Sequence, residues 1–215
     1  MLPVRGKLKW RIGRVSRQVK LVPNDYSLTL RHMQSRLAKA QAKIEELQAQ
    51  AETDPLLNVL NRRGLSRELA RAVSYIARYG ATAVLIYVDI DNLKPVNDTY
   101  GHAVGDEVLK AVVGSLRTYI RASDLIARVG GDEFVLLLWH MSEFDALAKA
   151  ELLESAIDAL AVTFQGAEVS IGASAGVALL GPGTDGCAAI NAADRAMYAR
   201  KCIRRAQVDA GLVQA

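Results

Sequence analysis

An α+β domain preceded by an N-terminal helical coiled coil is the fold class this sequence predicts, and three observations carry it. Between Tyr26 and Ala51 apolar residues recur at alternating spacings of four and three, which is a coiled-coil seam and not merely one face of a globular helix. Beyond Asp54-Pro55 and a first helix, apolar runs and helical periodicities alternate in the order β-α-β-β-α-β before a last helix. Carboxylates punctuate the ends of two of those apolar runs. The element order is that of a ferredoxin-like, antiparallel-rich sheet with surrounding helices, in which the first strand adjoins the strand carrying the ββ hairpin.

With 215 residues, 51% hydrophobic and 23% charged, the chain has material for one well-buried domain plus an appendage. Cys187 and Cys202 are too few for a disulfide framework or a zinc cluster and read as reduced structural thiols. No apolar stretch approaches the roughly 18 residues of a membrane span. The basic N-terminus also lacks the apolar core of a signal peptide. The expected location is cytoplasmic, or peripheral to an inner membrane.

Positive charge is concentrated at the start. Arg5, Lys7, Lys9, Arg11, Arg14, Arg17 and Lys20 precede the first acid, Asp25, and outnumber the formal excess of +4, so the remainder is net negative. Specific nucleic-acid binding by the main domain is therefore excluded as an expectation, because phosphate affinity needs clustered cations on that surface. Within residues 1–22, Leu8, Ile12, Val15, Val19 and Val22 fall at helical spacing. Two readings stand: a basic amphipathic helix meeting a membrane surface or acidic partner, or an exposed helix packing on a dimer mate.

Residues 23–52 form the predicted dimerisation helix, with Leu30, Leu37, Ile44 and Ala51 at a positions and Tyr26, Met33, Ala40 and Leu47 at d. Docking of that helix on its own domain is the alternative to a homodimer. Asp54-Pro55 ends the seam. Residues 53–208 are the expected globular domain and 209–215 a tail. Its elements are a helix near Arg62–Arg78, a strand Ala83–Val88, a helix near Val104–Ile120, strands Leu125–Val129 and Phe134–Trp139, a helix near Glu143–Val162, a strand near Val169–Leu179 and a helix near Cys187–Arg204.

Two acidic stations mark the candidate site. The Ala83–Val88 run ends in Asp89-Ile90-Asp91-Asn92, and period-two alternation puts Asp89 and Asp91 on one face with Ile90 on the other. The hairpin Gly130-Gly131-Asp132-Glu133 carries two more carboxylates on a turn whose glycines offer positive φ and close approach to a ligand. Acids at a hairpin tip are also ordinary solvated turns. If the two strands are neighbours, the carboxylates converge as hard-cation ligands do where metals align a nucleophile and a leaving phosphate oxygen.

Three separated motifs carry a family resemblance over roughly Thr53 to Arg205: Gly130-Gly131-Asp132-Glu133-Phe134; Asp89 to His102 with Gly105-Asp106; and Ala193-Asp194-Arg195-Ala196-Met197-Tyr198. Together and in this order they resemble the GGDEF family of diguanylate cyclases, whose fold is similar to the palm of polymerases. The resemblance implies joining two GTP into cyclic di-GMP with release of two pyrophosphates. It implies a magnesium requirement, with manganese as substitute, met by Asp89, Asp132 and the Ile90 carbonyl. Glu133 stays open between metal ligand and proton acceptor. Lys94, and a clamp of Lys201 and Arg205 four apart on the last helix, would meet the phosphates. A carboxylate can accept from both N1–H and N2 of guanine, the role implied for Asp106 with Asn97 beside it and His102 lining the pocket.

Arg121-Ala122-Ser123-Asp124 resembles the family's product-inhibition site, in which Arg121 would stack on guanine and fork onto phosphate while Asp124 takes the guanine edge. A helix-end salt bridge is the plainer reading. The chain departs from the family pattern at Leu57-Asn58, where threonine and glycine are usual, and at Arg204 and Ala206, where glycine and asparagine are usual. Asn58 tolerates the positive φ that such a turn needs. Each domain would bind one GTP, so a homodimer through the coiled coil is the expected active form. A silent cyclic di-GMP receptor or scaffold is the alternative.

Overall fold

The computed structural model describes residues 24–164, 167–209 and 211. Residues 1–22, with their basic amphipathic segment, and most of the tail lie outside them. The chain divides into two units, residues 1–45 and 46–215. Helix α1 (Asn24–Glu52) runs from the first into the second. On it Leu30 is 60% exposed, Leu37 60% and Ile44 54%.

In the second unit a five-stranded sheet runs in the order β1 (Leu60–Asn61), β3 (Leu125–Arg128), β4 (Glu133–Trp139), β2 (Ala83–Asp91), β7 (Gly172–Leu180). Only β1 and β3 are parallel. Strand β2 lies between β4 and β7, as the β-α-β-β-α-β reading requires. Its residues from Ala83 to Val88 are buried on both faces, which is why the run reads as continuously apolar rather than alternating.

Two cores flank the sheet. On one face Ile86, Val88 and Ile90 pack with α3 (Leu93–Tyr100), α4 (His102–Thr118) and α5 (Glu143–Asp158). On the other, Leu85 and Tyr87 pack with α2 (Arg62–Tyr79) and α6 (Gly186–Asp209). Helix α2 begins where Asn61 Oδ1 accepts the N–H groups of Arg63 and Gly64, and ends at Gly80 in the left-handed region.

The short strand β1 is absent from the sequence expectation, and three further details differ from it. Asn92, at φ 64°, starts the unexpected helix α3, and Pro95 sits within its first turn, where a missing N–H costs nothing. Helix α5 ends at Asp158 rather than Val162, because Ala161–Phe164 (β5) pairs with Ala167–Ser170 (β6). Leu160 and Val162, two apart, lie against the core with Val169 and Ile171, so strand alternation overrides the helical pattern. The cysteines are free and exposed, not core thiols.

Candidate active site

The antiparallel register sets Asp89 of β2 directly opposite Glu133 of β4, and Ile90 N–H donates to the Asp132 carbonyl at 3.0 Å. Residues opposite in such a pair share a face. Asp89 and Glu133 therefore project on the α2/α6 side while Ile90 is buried in the opposite core. Asp91 lies on the Asp89 side, and Lys201 pairs with both, hydrogen-bonding Asp89 Oδ1 and standing 3.4 Å from Asp91 Oδ1.

Helix packing delivers that lysine. Ala189, Ala193 and Met197 recur at intervals of four, are buried against the sheet, and place Lys201 one turn further on, at the acidic end. Gly176 on β7 makes the approach close: a Cβ there would collide with Met197 N and the Ala193 carbonyl. Burial pushes the Asp89 carboxyl above the usual carboxylate range against the pull of the Lys201 ammonium, and Asp132 and Asp91 push the same way. Burial lowers Lys201, but Asp89 and Asp91 outweigh it and hold the ammonium above its ordinary value. The Tyr87 hydroxyl is driven far up, first by burial and then by the adjacent Glu133 carboxylate.

Two arginines hold the hairpin tip. Arg62 donates from Nε and Nη2 to the Val129 carbonyl at 3.0 and 2.7 Å. Arg128 donates to the carbonyls of Gly130 at 3.1 Å and Gly131 at 2.7 Å, and its Nη1 pairs with Asp54 Oδ2 at 3.1 Å. Asp54 Oδ1 meanwhile accepts the N–H groups of Leu56 and Leu57. That turn contains Asn58 at φ 51°, the conformation its asparagine permits. The expectation of positive φ at the hairpin glycines is corrected: neither Gly130 nor Gly131 has it. A Cβ on Gly130 would strike the Glu133 carboxylate and force it to turn aside. Arg62, Arg128 and Asp54 were not singled out as site residues from sequence; an arginine two places before a Gly-Gly turn is the available signal.

Beside the hairpin, a cleft of about 280 Å³ is lined by Lys94, Asn97, His102, Asp106, Gly131 and Asp132 among others. Ligand pockets run from about 300 to 1,000 Å³, so the cleft lies at the small end of that range. Lys94 and Asn97 are three apart on α3, and His102 and Asp106 four apart on α4, so each helix turns one pair toward the cleft. Among the described residues Asn97 Oδ1 is buried without a hydrogen-bond partner, and a Cβ on Gly105 would collide with it. An orphaned buried acceptor costs about 1–3 kcal/mol unless a ligand satisfies it.

Arg205 and the Arg121–Asp124 pair are not brought to this cluster. Arg205 is exposed and forms no ion pair with the described residues, whereas its neighbour Arg204 turns toward Asp158 and Asp91. Asp124 lies at the far end of the β3–β4 hairpin, where its carboxylate accepts the Arg121 N–H at 2.9 Å and the Trp139 N–H at 3.2 Å. No Arg121–Asp124 side-chain salt bridge forms; the Arg121 side chain is exposed.

The donor set suits a divalent hard cation. Asp89 and Asp132 repel each other at a half-buried strand end, with the Ile90 backbone between their positions. Among the described residues no three His, Cys, Asp or Glu side chains form a complete metal cage, so a backbone carbonyl and phosphate oxygens would have to complete the shell. Also among the described residues, no helix is long and apolar enough to cross a membrane.

Residues 51–207 match the family model described as diguanylate cyclase, GGDEF domain. Diguanylate cyclase DgcP of Pseudomonas aeruginosa is 40% identical over 158 residues, which is 74% of this chain and 24% of that protein. Diguanylate cyclase DosC of Escherichia coli is 33% identical over 157 residues, 73% of this chain and 34% of that protein. The chain thus spans about a quarter to a third of these relatives. Among solved structures, the coiled coil and GGDEF domain of DgcB from Caulobacter crescentus, in complex with c-di-GMP, superposes with a TM-score of 0.72 at 27% identity. It covers 82% of this chain and 94% of that one. With the palm-type sheet, the paired acids on β2 and β4 and a match running over most of its length, this chain belongs to the diguanylate cyclase GGDEF domain family.

Proposed function

We propose that the chain condenses two GTP into cyclic di-GMP with release of two pyrophosphates. The observation that carries the reading is the juxtaposition of Asp89 and Glu133 across β2 and β4, with Asp132 at the same hairpin tip. The relatives named diguanylate cyclase support it.

Asp89, Asp132 and the Ile90 carbonyl would hold a divalent ion, magnesium or manganese, whose chemistry is to acidify a ribose 3′-hydroxyl and neutralise the leaving pyrophosphate. Asp106 accepts from the guanine edge, and Asn97 Oδ1 gains a partner for its orphaned oxygen when the base enters. His102 lines the base cleft. Lys94 from α3 and Lys201 from α6 bring positive charge to the phosphates. Glu133, pressed between Gly130 and Tyr87, accepts the hydroxyl proton or completes the ion's shell.

One domain binds one GTP, so the 3′-hydroxyl of one must meet the α-phosphate of the other across a homodimer. The exposed seam of α1 supports parallel pairing that brings two such faces together. Arg121 and Asp124, at the opposite end of the β3–β4 hairpin, form a separate product site for feedback. Residues 1–22 serve contact with an acidic surface.

Incubation of purified protein with magnesium and GTP should yield cyclic di-GMP and pyrophosphate, resolved by chromatography. Asp132→Ala should abolish synthesis with an unchanged melting temperature, because its carboxylate makes no described hydrogen bond. Synthesis retained by that variant would overturn the metal assignment.

A further inference from the structure

Behind the acidic cluster lies a second charge array, on residues outside the ligand set. Strand β7 is an edge of the sheet, so its outward N–H groups have no strand partner. Two carboxylates of α5 cap them: Glu154 Oε1 accepts Ala175 N–H at 2.9 Å and Asp158 Oδ1 accepts Ala173 N–H at 3.2 Å. The spacings match, since acids four apart on a helix meet amides two apart on a strand.

Two arginines of α6 close over the same acids. Arg200 forks onto Glu154 with contacts of 2.6 to 3.1 Å, and Arg204 Nη2 bonds both oxygens of Asp158 at 2.8 Å. Helices on opposite faces of the sheet are thereby latched around its edge. Gly172 makes room, because a Cβ there would stand 3.3 Å from Arg204 Nη2. Arg204 does one thing that Arg200 does not. Its Nε approaches Asp91 Oδ2 at 3.9 Å, the oxygen that also accepts from Ser174 Oγ at 2.9 Å, while Asp91 Oδ1 faces Lys201.

We infer that Arg204 is a positioning residue for the phosphate-facing end of α6: it anchors the helix to Asp158 and holds Asp91 so that Lys201 is aimed at the nucleotide phosphates. The inference rests on the proposed cyclase reading and extends it to a residue standing where the family usually has glycine. Without Arg204, Asp91 loses one of its two cationic partners and binds Lys201 the harder, and the last turns of α6 lose their brace. Both effects withdraw Lys201 from phosphate. The loss falls on ground and transition state alike, so it registers in KM more than in kcat.

The test compares wild type, Arg204→Gly, Arg204→Lys and Arg200→Ala by calorimetric titration with α,β-methylene GTP and magnesium, alongside GTP turnover. Arg204→Gly should bind the analogue about tenfold more weakly and raise KM to match, with kcat within about twofold. Arg204→Lys should recover part of the affinity, since it keeps the charge but not the fork. Arg200→Ala, which removes the fork on Glu154 but leaves Arg204 Nη1 3.6 Å from that carboxylate, should bind much more nearly as wild type does. Equal weakening by Arg200→Ala, or unchanged binding by folded Arg204→Gly, overturns the assignment; should the glycine variant not fold, Arg204→Gln is read in the same way. A wild type that binds the analogue yet makes no cyclic di-GMP sinks the cyclase reading and leaves the binding comparison decisive for Arg204.

Discussion

Arg128 joins Asp54 to Gly131: one guanidinium sits 3.1 Å from the Asp54 carboxylate and 2.7 Å from the Gly131 carbonyl. The turn after α1 and the tip of the β3–β4 hairpin thus share one cation. Both partners are shielded, with side chains 17% and 16% exposed, so removing one of them costs more than at a surface salt bridge, because the other charge is left without its partner.

Arg128→Ala should therefore loosen the hairpin that carries Asp132 and Glu133. The expected result is a stability loss of about 1–3 kcal/mol and a turnover loss of about tenfold or more. Thermal melts and steady-state synthesis check it. An undiminished kcat would mean that the hairpin keeps its shape without the guanidinium.

Gly105 offers a test of the proposed nucleotide cleft. Gly105→Ala drives a methyl against Asn97 Oδ1, so the amide must rotate out of the cleft while α4, which favours alanine, remains formed. GTP affinity should fall about tenfold with little change in melting temperature. Titration with a GTP analogue measures it, and wild-type affinity would show that Asn97 does not touch the base.

At Gly176 the cost is structural. Gly176→Val must push α6 off the sheet, because the added carbons meet helix backbone that cannot rotate away. A loss of about 3 kcal/mol or more is expected. Denaturant unfolding reports it, and a shift below about 1 kcal/mol would contradict the close contact with Ala193 and Met197.

The α1 seam makes a concentration-dependent prediction. A chain beginning at Thr53 should bind GTP nearly as the full chain does and lose turnover at low protein concentration, recovering as concentration rises. Equal turnover of the two forms at every concentration would refute coupling through the helix.

The primary sequence alone determined much of this protein. The heptad repeat of residues 26–51, the apolar run ending at Asp89 and Asp91, and the Gly130–Glu133 hairpin are local patterns, and helix and strand periods can be read from neighbours in sequence. The order of those elements was enough to place β2 between β4 and β7. Only tertiary structure decided that Arg204 rather than Arg205 turns inward, that Asp124 holds backbone amides at the far end of its hairpin, and that Asn97 keeps an unpartnered oxygen. It also decided that Arg128 reaches back to Asp54. Each of these depends on which groups meet once distant segments pack, and a charged side chain takes the partner that three-dimensional proximity offers, which no spacing along the chain records.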